Sequence, residues 1–83
     1  MPREGVDSVS HRQVFREEIR NAIREAIFSG KLNPGDRIIE TYWARELGVS
    51  QGPVREAIRD LEAMGLVETV PFKGSRVRTL TEK

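Results

Sequence analysis

Three polar side chains recur at helical spacing near the middle of the 83-residue chain. Gln51, Arg55 and Arg59 stand at i, i+4 and i+8, so they share one face of a predicted helix. Gln can pair with adenine and Arg with guanine through two hydrogen bonds, and DNA-binding helices present such side chains from their N-terminal half. The alternative is an ordinary solvated face, because Glu56 and Asp60 lie beside the two arginines in the sequence and offset their charge.

The residues that open this helix are unusual. Gly52 and Pro53 are poor helix formers, but first-turn N–H groups have no intrahelical acceptor, so proline loses no hydrogen bond there. Ser50 is the expected N-cap, with its hydroxyl accepting from a first-turn N–H, and the positive helix end suits phosphate. Gly52 leaves room for another molecule to approach closely. The simpler alternative is that Gly-Pro only marks the beginning of a helix.

The elements around this helix follow from periodicity and turn residues. Residues 1–11 are polar and aperiodic, which predicts a disordered N-terminal arm. A first helix is indicated by apolar residues at i, i+4, i+7 and i+8 spacing, namely Phe15, Ile19, Ala22, Ile23, Ala26 and Ile27. A brief extended run, "RII", follows the turn "NPGD", and a short second helix is predicted at about 41–47.

The turn "GVS" joins the second helix to the third, with Gly48 suited to a positive φ. The third helix is predicted at 51–64, and its apolar face comprises Val54, Ala57, Ile58, Leu61 and Met64. Two period-2 segments joined by "PFKG" then predict a β-hairpin. The expected fold is mainly α with a small β-hairpin: a winged helix-turn-helix of three helices and a two-stranded wing. The domain covers 12–80, with the helix-turn-helix at about 40–59 and the wing at about 66–80.

The predicted wing is basic. Lys73 and Arg76 lie on and beside its turn, within reach of phosphates or a minor groove. Phe72 at the tip has two interpretations: a packing residue, which we favour, or an apolar contact with a partner or with DNA. A winged helix that binds another protein through the wing and Phe72 is therefore the alternative to a DNA-binding domain.

Composition excludes several other classes. The chain has no cysteine and one histidine, and no cluster has metal-ligand spacing. We find no nucleophile–base pair or carboxylate dyad, so an enzyme is not expected, and neither is a cofactor. Apolar runs fall far short of the ~20 residues of a membrane helix, and the N-terminus lacks a secretory signal, so a cytoplasmic protein is expected. The formal net charge of +1 does not indicate a partner.

Three linked motifs resemble the DNA-binding domain of the GntR family of bacterial transcription regulators: "IREAIFSGKLNPGDRIIE", "ARELGVSQGPVREAIRDLEAMGLVE" and "KGSRV". The "PVREA" form is similar to the FadR-like branch. The resemblance implies a sequence-specific DNA-binding function. It places DNA contacts at the start of the second helix, in the first turns of the third helix, and in the wing. These positions are Thr41, Ser50, Gln51, Gly52, Arg55, Lys73 and Gly74, with Arg76 adjacent.

Three positions depart from the family pattern. The family commonly has Arg at the positions of Thr41 and Gln51, so two guanidinium contacts to phosphate or guanine are missing here. Ile39 replaces the usual capping residue before the second helix, and Thr41 is then the expected cap. The operator preference is accordingly expected to differ from that of relatives.

The resemblance also implies an assembly. Family members bind two-fold operators in double-stranded DNA as homodimers. They respond to a small carboxylate-like effector that binds a helical C-terminal domain. We expect that domain to lie outside these 83 residues.

Overall fold

The computed structural model describes the backbone of residues 4–79 and the side chains of residues 15–79. Three helices and three strands lie within this range. In chain order they are α1 (Glu4–Ser29), β1 (Arg37–Ile38), α2 (Glu40–Leu47), α3 (Gln51–Ala63), β2 (Val67–Val70) and β3 (Gly74–Val77). The predicted order of helix, short strand, two helices and a hairpin is confirmed.

The N-terminal helix begins earlier than the sequence pattern predicts. Residues from Glu4 onward belong to α1, which differs from the disordered arm expected at 1–11. Residues 1–3 lie outside the described residues. The segment between Glu4 and Phe15 contains no proline, and extending a helix that already exists costs far less than nucleating one.

The hydrophobic core lies between α1, α3 and the sheet. Helix α3 packs against both other helices and against β2. The largest fully buried side chains come from two helices and one strand: Ile19, Ile23, Val54, Leu61 and Val67. Burial of such side chains supplies most of the free energy that offsets the loss of chain entropy.

Met64 does not belong to this core, contrary to the predicted apolar face of the third helix. Its side chain is 47% exposed. Helix α3 ends at Ala63, and Met64 is its C-cap. The chain turns away from the helix at Gly65, directly after Met64, where φ is 83°, and the Met64 side chain stays at the surface.

Ion pairs join α1 to α3 beside the core. Arg16 Nε lies 2.8 Å from Asp60 Oδ2, and Arg20 Nη1 lies 3.2 Å from the same oxygen. Arg16 Nη1 also lies 3.7 Å from Glu56 Oε1. The hydrogen bond from Arg16 lowers the pKa of Asp60 below its usual value, and the positive charges of both arginines lower it further.

The wing is part of a three-stranded antiparallel sheet in the order β1-β3-β2. The predicted β2–β3 hairpin is confirmed, with Val67 opposite Val77 and Val70 opposite Gly74. Strand β1 corresponds to the predicted extended run "RII", but its pairing with β3 was not predicted, because two residues are too few to show a period. Two backbone bonds extend this pairing: Gly35 N–H donates to Val77 O at 2.9 Å, and Val77 N–H donates to Asp36 O at 2.8 Å.

The turn between α2 and α3 has the predicted geometry. Gly48 takes a left-handed φ of 68°, and its N–H donates to backbone carbonyls at the end of α2. Val49 N–H donates to Ala44 O at 2.9 Å, and the Val49 side chain packs against the core. These contacts set the angle between the two helices.

The beginning of α2 differs from the prediction. Ile39 is the N-cap and makes no side-chain cap bond, and the helix begins at Glu40. Thr41 is therefore the second helical residue rather than the cap.

Candidate nucleic-acid interface

The outer face of α3 carries the predicted polar residues. Gln51, Arg55 and Arg59 are exposed, whereas Val54 and Leu61, on the side of the helix that faces the core, are buried. This separation confirms that the three polar side chains share a solvent face.

Two acidic residues of α3, Glu56 and Asp60, point toward α1. Asp60 and Glu56 pair with Arg16 of α1, so they do not neutralise the arginines on the outer face. The sequence could not distinguish these arrangements, because the acids stand next to the arginines along the chain. In the fold these two acids lie on the α1 side of the helix, whereas Glu40 and Glu62 line the groove of Arg55 and Arg59.

The start of α3 is open. Ser50 is the N-cap with extended backbone, φ −78° and ψ 170°, as predicted, but its side chain makes no cap hydrogen bond. The expected hydroxyl–backbone bond is therefore absent. The first-turn N–H groups of Gln51 and Gly52 have no intrahelical acceptor. They can donate to a ligand that approaches along the helix axis.

Gly52 has no structural requirement to be glycine. Its φ is not in the left-handed range, and, apart from its chain neighbours and the backbone of its own helix, no atom of the described chain lies within 4 Å of the place that a Cβ would occupy. Neither backbone strain nor internal packing excludes a side chain. The empty space leaves room for another molecule to approach the helix closely, and it is equally compatible with Gly-Pro marking only the beginning of the helix.

The Arg55 guanidinium is hydrogen-bonded to the first residue of α2. Its Nε donates to Glu40 Oε2 at 3.3 Å, and its Nη2 donates to Glu40 Oε1 at 3.2 Å. Glu40 is the first residue of α2 and was not among the predicted site residues. An acid fifteen residues away gives no local signal of pairing, although its position at the start of the second helix placed it near the candidate surface.

The wing tip meets the starts of α2 and α3 across one groove. This groove encloses about 430 Å³, and its lining includes Thr41, Gln51, Lys73 and Gly74. Four predicted site residues from three elements are thus brought together. Arg55 and Arg59 line an adjacent groove of about 350 Å³, whose opposite wall includes Thr69 and Ser75 of the sheet.

Two arginines of the sheet make hydrogen bonds that were not predicted. Arg76 Nε donates to Glu68 Oε2 at 2.6 Å across the β2–β3 pair, so an acid on the same sheet offsets its charge. Arg37 was not predicted as a site residue. Its Nη2 donates to Lys73 O at 2.7 Å and so supports the wing turn from β1. Its place in the predicted extended run "RII" gave no local signal that it would reach the wing turn.

Phe72 is fully exposed, with a relative accessibility of 106%, so the expectation that it packs against the domain is wrong. The turn that carries it lies at the far end of the hairpin, beyond the reach of the core.

No helix in residues 4–79 is long and apolar enough to cross a membrane. Among the side chains that the structure describes, no group of His, Cys, Asp and Glu could hold a metal ion.

Known proteins have sequences and folds similar to those of this chain. Residues 15–77 match the family described as "Bacterial regulatory proteins, gntR family". The uncharacterized HTH-type transcriptional regulator YdhC of Bacillus subtilis is 43% identical over 63 residues, which cover 76% of this chain and 28% of YdhC. A GntR-family regulator from Pseudomonas syringae superimposes with a TM-score of 0.74 and 38% identity, over 82% of this chain and 29% of that one.

The DNA-binding domain of AraR, solved in complex with operator ORX1, superimposes with a TM-score of 0.70 and 31% identity. That match covers 76% of this chain and 77% of the AraR chain. The present chain spans less than a third of YdhC and of the Pseudomonas syringae regulator. The family match over residues 15–77, the winged helix-turn-helix fold and its polar outer face all indicate the same family. The chain belongs to the gntR family of bacterial regulatory proteins and carries the family's DNA-binding domain.

Proposed function

We propose that α3 enters the major groove of operator DNA with its N-terminal end foremost. Gln51 and Arg55 contact base edges, while Ser50, Gly52 and the free first-turn N–H groups hold a phosphate. The open space at Gly52 supports this orientation, because a phosphate or sugar can approach the helix there without displacing any part of the protein.

Arg55 retains donors for a base while it is paired with Glu40. A guanidinium has five N–H donors, and the bonds to Glu40 use one on Nε and one on Nη2. The remaining donors suit the O6 and N7 atoms of guanine. Gln51 lacks a charge, and its amide suits the N6 and N7 atoms of adenine.

The wing contacts the DNA backbone beside the recognition helix. Lys73, Gly74 and Arg76 lie on phosphates or in the minor groove, with Thr41 and Arg59 at the edges of the contact. The observation that carries this proposal is the shared groove, because Thr41, Gln51, Lys73 and Gly74 face one space of about 430 Å³. A duplex that contacts α3 there also meets the wing. AraR, whose DNA-binding domain is similar, was solved with its operator bound.

The complete regulator acts as a homodimer on a two-fold operator in the cytoplasm. A small carboxylate-like effector controls it through a region outside these residues, and the DNA-binding domain itself uses no cofactor. A single copy of the domain buries limited surface and so binds weakly compared with a dimer.

Selection of duplexes from a random pool by the 83-residue chain tests this proposal. A common sequence should emerge, and the logarithm of affinity for it should fall linearly with the logarithm of salt concentration, by about 0.9 per phosphate neutralised. Arg55→Ala should lose about 1–3 kcal/mol and accept more than one base at a single position.

The exposed Arg45 on α2 supplies a matched control, since Arg45→Ala removes the same charge away from the outer face of α3. If Arg55→Ala and Arg45→Ala behaved alike, with sequence preference intact in both, α3 would not be the recognition helix.

A further inference from the structure

Phe72 combines two features that the fold does not explain. Its ring is fully exposed, and its φ of 65° makes it the one non-glycine residue with positive φ among the described residues. A non-glycine side chain at positive φ is disfavoured, and an exposed aromatic ring contributes no burial to the free energy of folding.

The turn itself favours another residue. Lys73 N–H donates to Val70 O at 2.9 Å, which closes a four-residue turn with Pro71 and Phe72 at its centre. Proline at the second position and positive φ at the third are the pattern of a type II turn, in which glycine or asparagine is preferred at the third position. Phenylalanine is therefore accounted for neither by the turn nor by the core.

The ring projects from a well-supported turn. Val70 pairs with Gly74 at the end of the hairpin, and Arg37 on β1 donates to Lys73 O at 2.7 Å. The backbone on both sides of Phe72 is thus held by hydrogen bonds from two strands. A ring in such a position can enter a partner with little further loss of backbone freedom.

The chemistry around the ring favours a polyanion. Residues 70–75 contain Lys73 and no acid, and Lys73 lines the same groove as Gln51 of α3. We propose that Phe72 is an apolar wedge that enters the minor groove of the operator, next to the major groove that holds α3. This inference rests on the proposed docking of α3.

Such a wedge would add sequence preference without a hydrogen bond to a base. An apolar side chain that enters the minor groove partly unstacks a base step and bends the duplex. Pyrimidine–purine steps deform most readily. The bound sequences should therefore favour these steps at one position flanking the bases that α3 contacts.

The test compares Phe72→Gly and Phe72→Leu with the unchanged chain. Glycine suits the positive φ and removes the wedge, so the urea midpoint of Phe72→Gly should equal or exceed that of the unchanged chain. Its affinity for the duplex selected by the unchanged chain should fall about tenfold, whereas Phe72→Leu should lose less. Repeated selection with Phe72→Gly should lose the flanking pyrimidine–purine preference and keep the bases contacted by α3.

A fluorescent base analogue, 2-aminopurine, placed at the flanking step reports the unstacking directly. Its emission should rise when the unchanged chain binds and stay level with Phe72→Gly. Equal affinity, equal sequence preference and equal emission for the two proteins would overturn the wedge and leave the proposed role of α3 standing.

Two further outcomes would also overturn it. Without DNA, sedimentation velocity that shows a dimer for the unchanged chain and a monomer for Phe72→Gly would make the ring a protein contact. If the unchanged chain selected no sequence at all, the wedge and the proposed docking of α3 would both fail.

Discussion

Glu40 and Arg55 join the first residue of α2 to the outer face of α3 through two hydrogen bonds, at 3.2 and 3.3 Å. The Arg55 side chain is 51% exposed and that of Glu40 is 32% exposed. Ion pairs this accessible contribute little to stability. The consequence of the pair is positional, because it holds the guanidinium at the surface where α2, α3 and the sheet meet.

Glu40→Gln should disturb the orientation of Arg55 while leaving the stability of the fold nearly unchanged. The free energy of unfolding should change by less than about 1 kcal/mol, because the pair is half exposed. Binding to unrelated duplexes should tighten, since a negative charge is removed near phosphate. The ratio of affinities for the selected and a scrambled duplex should fall, because Arg55 is no longer oriented.

Glu46→Gln on the same helix is the matched control and should leave that ratio unchanged. A double-mutant cycle of Glu40→Gln with Arg55→Ala measures the coupling. Additive effects on the affinity ratio would show that Glu40 does not act through Arg55.

Gln51→Arg should change which base is preferred. An amide favours adenine and a guanidinium favours guanine, so selection with the variant should replace adenine by guanine at one operator position. Gln51→Ala should lose preference at that position. Retention of the original base by both variants would remove Gln51 from the set of base contacts.

Gly52→Ala should have opposite effects on folding and binding. The space for a methyl group is empty and φ is ordinary, so the unfolding free energy should stay the same or rise by up to about 1 kcal/mol. DNA affinity should fall about tenfold, or ~1.4 kcal/mol, because the methyl group meets the approaching backbone of the duplex.

Gly48→Ala provides the contrast for this experiment. Gly48 has a left-handed φ of 68°, so its methyl group should lower the unfolding free energy by about 1 kcal/mol. Undiminished DNA affinity of a folded Gly52→Ala protein would mean that nothing approaches α3 closely at that point.

Lys73→Ala should weaken binding to all sequences alike. A lysine at the wing tip contributes charge to a phosphate contact, so its loss should reduce the salt slope by about 1 without altering the selected sequence. Lys31→Ala removes the same charge from the segment after α1, where Lys31 lines a different groove. Equal salt slopes for the two variants would place Lys73 outside the contact.

Asp60→Asn should remove the ion pairs between α1 and α3 and so show how much they stabilise the fold. The pKa of Asp60 is lowered in the folded state, so its stabilisation is present above the unfolded pKa of about 3.9 and is lost as the pH falls through the folded pKa. The variant should be less stable than the unchanged chain at pH 7, by no more than about 1 kcal/mol. This difference should disappear in strong acid.

Urea titrations at pH 7 and in strong acid measure the difference in stability between Asp60→Asn and the unchanged chain. Glu62→Gln, exposed on the same helix, is the control. A difference that persisted in acid would show that Asp60 stabilises the fold by something other than its charge.

Local features of the sequence predicted much of this protein. Apolar residues at helical spacing placed α1 and α3, and Gly48 marked the turn between α2 and α3, where its φ of 68° is found. The face shared by Gln51, Arg55 and Arg59 also followed, because side-chain direction on a helix depends only on spacing. These predictions succeeded because each rests on residues close together in the chain.

The tertiary structure decided the relationships between distant residues. It joined β1 to the wing, turned Asp60 toward α1, paired Glu40 with Arg55 and left Phe72 in solvent. The sequence by itself determined the elements and the polar face of the recognition helix. Which charges neutralise one another, and what the wing presents, depended on how the elements pack, because contacts across tens of residues leave no periodic signal in the chain.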